Sequence, residues 1–484
     1  MSTVAPERVE DDSRVPVREG EYGTRVVAVE PGGIEYIPDA ERHGRPRQLF
    51  WTWTSPNMEF ATIFVGVLPI ALFGGGFWPT VIALVVGNAL GCASHGILSS
   101  WGPRFGVVQM VQSRGAFGFV GNLLPAGLNT VTAGVGWFAV NSVSGAFALQ
   151  TFTGLVGWGS LGFTEALAII VVLQVVVAFG GYNLVHQFEK VLFPYLVGVF
   201  VAATIYILAA AHPGTDFNAH APVAFGGASG AFILAVFVAY GYALGWNAFA
   251  ADYSRYLPRN AGAWRSGIAA GTGVFISCVV LEIAGAALAT VAGTAWGPSD
   301  IPTAQFIKPL PHTLAILSTL GIAIGAVAAN ALNVYSAAVS FLTLGIRMGF
   351  KQRRAVVALA FGVVGFLVAR TGEVGPGSKY EDFLLLIAYW ITPWLAVVLV
   401  DYAMRRGRYE AAEFFDARRN PWQGALAMAV GIAASVPFWN QSIYQGPIAF
   451  DHPGLGDLSF VVGFVVAAVL YFAFVRSSAR MRRF

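Results

Sequence analysis

The sequence predicts an all-α integral membrane protein of twelve transmembrane helices. Ten of them form a five-plus-five inverted repeat with helices 1 and 6 broken, and two more follow at the C-terminal end. Three observations predict this. Hydrophobic residues make up 56% of the 484 and charged residues only 11%, against about 25% charged in a soluble domain. Apolar stretches near the roughly 20 residues that a spanning helix needs recur twelve times. The lysines and arginines are sorted: all 29 except Lys308, Arg370 and Lys379 fall at the two ends or in the even-numbered connections. Cations are retained on the cytoplasmic face during insertion, so this bias places both termini in the cytoplasm, as in a multi-pass protein of the cell membrane.

The elements follow in order. Residues 1–50 are polar, charged and proline-bearing, and read as a cytoplasmic, largely disordered tail with no cleavable signal, which leaves span 1 as the internal signal. A transporter domain over 51–476 holds spans at about 57–75, 77–98, 125–149, 163–181, 189–211, 229–250, 267–293, 312–344, 354–370, 382–402, 422–439 and 457–476, and a basic tail closes the chain at 477–484. Without water to satisfy the backbone, helix is the structure open to these spans. Span 1 is interrupted at Gly66-Val67-Leu68-Pro69 and Gly74-Gly75-Gly76, and span 6 at Gly241-Tyr242-Ala243-Leu244-Gly245-Trp246. Glycine and proline weaken a helix and free backbone groups. The two breaks are an odd number of spans apart, so their helices cross in opposite directions, as an inverted repeat with a midplane site requires. Close helix packing is the alternative use of such glycines.

Candidate chemistry clusters on four spans. Trp137 and Asn141 are four apart on span 3 and share a face. An indole surface beside a carboxamide suits a flat heterocycle, which stacks on one and hydrogen-bonds to the other. Asn330 and Asn333 share a face of span 8 beside Tyr335 and Ser336; amides in hydrocarbon need a neighbouring helix or a ligand. Trp246 follows the span 6 break and offers a second aromatic face. Glu59 on span 1 and Glu282 on span 7 are acids at membrane depth, either of which is a candidate proton carrier. Asp252 and Arg255 read as a charge pair or gate at a helix end.

Other functions find no footing. Basic residues are scattered rather than gathered into a nucleic-acid surface. Cys92 and Cys278 sit in apolar runs, and His95, His186 and His312 lack companions for a metal site, so no metal or cofactor is expected. Paired acid–base residues or nucleophile motifs of an enzyme are absent. With no lysine or arginine deep in a span, a neutral solute is favoured over an anion.

The chain resembles the nucleobase–cation symporters of the purine–cytosine permease type over nearly its whole length. The residues that carry the resemblance include Gly33-Ile34-Glu35-Tyr36-Ile37-Pro38, Asn57, Phe77-Trp78, Gly102-Pro103-Arg104-Phe105-Gly106, Gly121-Asn122-Leu123-Leu124-Pro125, Gly136-Trp137-Phe138 with Asn141, Gly245-Trp246, Ala251 through Tyr256, Asn333 with Tyr335-Ser336, and Tyr389-Trp390 with Pro393. The resemblance implies the leucine-transporter-like fold and alternating access around a site built from spans 1, 3, 6 and 8. It also implies that Trp137 stacks on the substrate, that Asn141 and Asn333 bind its edge, and that the second aromatic is Trp246, although some members place it nearer Ala243. Sodium-coupled members carry hydroxyl ligands in span 8 before the asparagine; here that stretch is Gly325-Ala326-Val327-Ala328-Ala329. The expectation is therefore import of a neutral nucleobase or related ring, such as cytosine, a purine or a hydantoin- or allantoin-like compound, with a proton rather than sodium as coupling cation. A carrier of another solute on the same scaffold, sodium-coupled or uniport, is the alternative.

Overall fold

The computed structural model describes residues 13–19, 33–178, 181–214, 225–297, 300–346 and 350–481. Its long elements are all helical; the only extended pairings among the described residues are isolated bridges, Val17 with Tyr36 and Asn440 with Gln445. Among the described residues, eight helices are long and apolar enough to cross a membrane, from Phe77–Phe105 to Ser459–Ser478. The shorter apolar helices Phe60–Ala71, Phe163–Ala178 and Gln423–Phe438, with Phe350–Arg370, complete twelve.

Both broken spans are present, with the breaks shifted along the chain. Span 1 begins at Pro46 rather than near 57. It runs Pro46–Thr54, tightens into a 3-10 turn at Ser55–Asn57 and restarts as Phe60–Ala71. Met58 (φ −76°, ψ 63°) and Glu59 (φ −146°, ψ 167°) leave the helix. Pro56 explains the position, because it has no amide hydrogen for the preceding turn and its ring crowds the carbonyl there. Side chains then take up the freed groups: Asn57 Nδ2 donates to Trp53 O (2.7 Å) and Thr62 Oγ1 to Asn57 O (2.7 Å). Gly66 and Pro69, where the sequence pointed, remain within the second helix, and Gly74 (φ 69°) turns the chain into span 2. Span 6 runs Gly227–Gly245, passes through a 3-10 turn at Trp246–Phe249 and resumes at Ala250–Ser254, so its break lies just beyond the expected stretch.

Small residues bring the bundle together. A methyl on Gly66 would lie 1.7 Å from the carbonyl oxygen of Glu282, and one on Gly285 would lie 1.8 Å from that of Ile63. Spans 1 and 7 thus touch backbone to backbone, the packing that replaces the hydrophobic drive inside a membrane. The last span attaches to span 10 through buried polar bonds, Tyr389 Oη to Asp457 Oδ2 (2.5 Å) at its start and Tyr471 Oη to Asp401 Oδ1 (2.7 Å) within it.

The expected disorder of residues 1–50 does not extend to residues 33–50. Tyr36 and Ile37 are fully buried, Ile37 N donates to Gly106 O (3.1 Å), and Arg42 Nη1 donates to Pro103 O (2.6 Å). Two apolar residues and a buried arginine suffice to anchor an otherwise polar segment. Residues 1–12, 20–32 and 482–484 of the expected tails lie outside the described part, as does the side chain of His186.

Candidate functional site

Trp137 owes its position to a π-helical turn, Thr132–Trp137, between the two α-helical parts of span 3. Such a turn carries one extra residue and re-aims the side chains after it, and it recurs at functional sites. Gly134 and Gly136 make room for it, since a methyl on either would strike the rings of Phe361 or Phe383 (2.6 and 2.2 Å). The sequence signal, two glycines and a threonine just before a tryptophan, is visible only in retrospect.

Across from it stands Trp246. The two indoles are parallel to within 7°, with ring centroids 6.3 Å apart. Van der Waals contact on both faces of an inserted ring needs about 7 Å, so the pair stands slightly closed. Edges of Tyr242 (5.5 Å) and Phe383 (5.1 Å) flank Trp137, and a methyl on Gly245 would come within 2.9 Å of its ring. Trp246 is held by its Nε1, which donates to Asn57 Oδ1 at 3.0 Å and ties the two broken spans directly together. Asn57 entered the sequence reading only through the family resemblance; the residues alone gave no sign of this clamp.

Beside the indoles runs a row of amides. Asn330 Nδ2 donates to Phe138 O (2.9 Å) and Ser142 Oγ (3.3 Å) of span 3. Its Oδ1 accepts from Asn141 Nδ2 (3.0 Å) and Asn333 Nδ2 (3.3 Å). The other end of Asn141 meets both carboxylate oxygens of Glu59, at 3.2 and 3.3 Å. Glu59 is buried at the span 1 break, with the Tyr242 hydroxyl bonded to it and to Thr62 Oγ1. The Oδ1 of Asn333 is buried and has no partner, an acceptor left open in a place where unpaired polar atoms are costly.

The structure therefore gathers Trp137, Asn141, Trp246, Asn333, Tyr242 and Glu59. It assigns other expected site residues elsewhere. Gly66 faces the backbone of span 7, and Gly241 faces span 10, where a methyl would lie 2.7 Å from Leu384 O. Ala243 turns its methyl toward Gly91 of span 2. Asn330 is committed to span 3 as an anchor for the other amides. Glu282 belongs to a separate cluster, where Asn88 Nδ2 donates to it between Cys92 and Cys278. Asp252 accepts from the amide of Gln109 (2.9 Å), and Arg255 donates to Gly33 O (2.8 Å) and the Tyr335 hydroxyl (3.0 Å), which places both at the end of the bundle where the N-terminal segment packs.

Access differs between the two sides of this site. A cavity of about 140 Å³ is lined by Phe60, Phe64, Val140, Ser144, Tyr380 and Phe383, the last of which packs edge-on against Trp137. A second, also about 140 Å³, adjoins it at Phe64 and Pro376 and reaches Trp296 and Asp300. On the opposite side Trp53 packs edge-on against Trp246, His95 and Tyr253.

Comparison with known proteins agrees with this architecture. Residues 36–463 match the family model described as permease for cytosine/purines, uracil, thiamine, allantoin. The chain is 30% identical over 468 residues to the "Putative purine-cytosine permease YxlA" of Bacillus subtilis, covering 94% of this chain and 97% of that one. It is 30% identical over 461 residues to the purine-cytosine permease fcyB of Emericella nidulans, covering 92% and 87%. Among solved structures it is similar to Mhp1, a nucleobase-cation-symport-1 family transporter. The closed conformation with bromovinylhydantoin bound gives a TM-score of 0.70 at 19% identity over 91% of this chain and 94% of that one, and the inward-facing conformation gives 0.71 at 20% over 96% of each. At such identity the likeness to Mhp1 speaks for the fold alone. The family match spans most of the sequence, the relatives are matched nearly end to end, and the chain belongs to the purine–cytosine permease family of membrane transporters.

Proposed function

We propose that the protein imports a neutral nucleobase or a closely related flat heterocycle, driven by protons, by alternating access at a site between spans 1, 3, 6 and 8. The ring lies between Trp137 and Trp246, and its edge is read by Asn333 and Asn141. One observation carries this reading: two parallel indoles face each other across spans 3 and 6, and the amide row that shares span 3 with Trp137 includes a buried carbonyl, Asn333 Oδ1, that has no partner. Names of relatives support the solute class, and the family description adds uracil, thiamine and allantoin. Both termini lie in the cytoplasm, from the sorting of lysine and arginine. The proton is favoured over sodium because span 8 meets the span 1 break at Gly325, where a methyl would lie 2.8 Å from Met58 O. The residues from Gly325 to Ala329 bring no hydroxyl there.

The test is uptake of radiolabelled cytosine, adenine, hypoxanthine, uracil and allantoin into cells expressing the protein, with and without a protonophore and with sodium replaced by choline. Uptake should be abolished by the protonophore and indifferent to sodium. Trp137→Ala and Asn333→Ala, each confirmed in the membrane, should lower it at least about tenfold; normal uptake by both would sink the proposed site. A second reading, a carrier of pyridine- or thiazole-type cofactors, is favoured by one relative, the vitamin B6 transporter TPN1 of Saccharomyces cerevisiae, at 24% identity over 387 residues. Competition of pyridoxine or thiamine against the labelled bases separates the two.

A further inference from the structure

At the end of the bundle where the N-terminal segment packs, several cations are engaged inside the protein. Arg18 pairs with Glu41 (3.3 Å), Arg114 donates to the carbonyls of Phe414 (3.0 Å) and Thr343 (2.8 Å), and Arg405 meets Asp401 and Glu413 (2.9 Å each). Arg45, Arg47 and Lys190 are different: they are exposed, and none has a carboxylate partner among the described residues. Arg45 and Arg47 line an open pocket of about 650 Å³ together with Gly44, Gln48, Phe50 and Trp51. Gly44 (φ 97°) turns the chain into Pro46–Thr54, the first half of span 1, and Gln48 Oε1 accepts from Arg45 N (2.6 Å), which holds the pocket's rim. Arg47 precedes Trp51 by four residues on span 1, and Lys190 precedes Phe193 by three on span 5, so each cation shares a helix face with an aromatic one turn further on. Trp51 and Phe193 meet, with ring centroids 5.3 Å apart at 63°, and the two faces thereby border one cleft. Trp51 nonetheless remains 52% exposed, and Val191, beside Lys190, 64%. A half-uncovered indole one turn from bare cations is the composition of a membrane–water interface.

We propose that this cleft between spans 1 and 5 seats an anionic phospholipid of the leaflet at this end, its phosphate among Arg45, Arg47 and Lys190 and its acyl chains against Trp51 and Phe193. Cations of one sign around a pocket call for an anion, and guanidinium groups bind phosphate oxygens through paired, charge-assisted hydrogen bonds. Basic pockets between membrane helices on this side take anionic headgroups. The exposed indole and valine favour a lipid over a soluble phosphate, which would leave both uncovered. The lipid has a structural task as well. Pro46–Thr54 is cut off from the rest of span 1 by the break at Met58 and Glu59, so its own helix does not hold it in place. A lipid that bridges it to span 5 steadies the segment, and Trp53 of that segment packs against Trp246 (5.6 Å). Lipid occupancy is thereby tied to the closed packing beneath the indole pair.

The experiment uses purified full-length protein in neutral detergent and needs no transported solute, so its outcome is independent of the base reading. Phosphatidylglycerol and phosphatidylcholine are titrated in turn, with bound lipid counted by native mass spectrometry and the unfolding temperature followed in parallel, since a lipid that binds the folded state raises it. The wild type should retain one phosphatidylglycerol at least about tenfold more tightly than phosphatidylcholine and unfold at a higher temperature with it. Arg45→Gln combined with Arg47→Gln should lose that preference about tenfold or more, as the removal of two cations beside an anionic headgroup requires, and Lys190→Gln should lose part of it. Arg45→Lys with Arg47→Lys keeps the charge and should retain most of the preference, which separates lost charge from lost fold. Arg408→Gln with Arg418→Gln removes two exposed cations of the same end away from the cleft and should bind as wild type. A wild type without preference, a preference that survives in the Arg45→Gln, Arg47→Gln protein, or an equal loss in the Arg408→Gln, Arg418→Gln control overturns the proposal. Glycerol 3-phosphate is the arm for a soluble source: it should neither displace the lipid nor raise the unfolding temperature, and if it does both, the site takes free phosphate and the lipid assignment falls.

Discussion

At Gly245 a single added carbon would reach within 2.9 Å of the Trp137 ring, and the ring has little room to yield between Tyr242 and Phe383. Gly245→Ala should therefore displace the indole and lower base affinity by at least about tenfold while the protein still folds. Trp246→Phe tests a different property. It keeps an aromatic face but loses the Nε1 bond to Asn57, a neutral bond worth about 0.5–1.5 kcal/mol. Affinity should fall about two- to tenfold, less than for Gly245→Ala; fluorescence titration with cytosine and adenine ranks the two, and the reverse order would mean that the Asn57 clamp, not the Trp137 wall, sets the site. Helical spacing put Trp137 and Asn141 on one face of span 3, and Asn330 and Asn333 on one face of span 8, and the structure brings these two faces together. Asn57 was not, because its partner is 189 positions away and no local pattern announces it. Gly241 and Ala243 were misplaced for a related reason: neighbouring positions on one helix point to different partners, and spacing does not say which of them faces the cavity.

Elements were readable in number and position, while their interruptions were not. Hydropathy located the spans because burial in lipid acts on every residue of a long stretch. A break is a local event, and glycine signals it poorly in a membrane helix, where the same residue serves close packing. Ser55-Pro56-Asn57 was the better signal in span 1, since proline removes a backbone donor outright. Gly66 illustrates the packing use and gives a test. Gly66→Leu drives a side chain into the Glu282 backbone at a contact where span 7 answers with Gly285. Inserting bulk into a close-packed interior costs about 1–3 kcal/mol or more, and here backbone would have to move. The variant should show little monodisperse protein by size-exclusion chromatography in detergent. Gly127→Leu is the control, because a β-carbon there meets nothing within 4 Å, and it should behave as wild type. Equal profiles for the two would remove Gly66 from the span 1–span 7 contact.

One end of the molecule is closed by packing between its helices and the N-terminal segment. The closed end is built from a segment that composition alone marks as tail. Tyr36 N donates to Pro16 O and accepts, through its carbonyl, from Arg18 N; His43 N donates to Tyr256 O; and Arg18 and Arg42 are both buried. Burial raises the Tyr36 phenol and lowers the Arg42 guanidinium, each offset in part by the other's charge. Spans 2 and 6 meet this segment through Pro103 and Arg255, and span 8 through Leu342 beside Gly33, so a state open at this end has to release it. Loosening the strap should then favour opening on that side without touching the indole pair. A single cysteine in place of Ser336, which is buried next to Tyr335, reports the opening, with Cys92 and Cys278 replaced by alanine to remove background. In inverted membrane vesicles a membrane-impermeant maleimide should label Ser336→Cys at least about tenfold faster when Arg18→Ala and Tyr36→Ala are combined with it. The same maleimide applied to right-side-out cells should label no faster, since the outer cavities do not depend on the strap. Faster labelling from both sides would mean general unfolding rather than gating, and unchanged labelling from the cytoplasm would show that the strap rides on a closure made elsewhere, by Trp53, Tyr253 and His95 beneath Trp246.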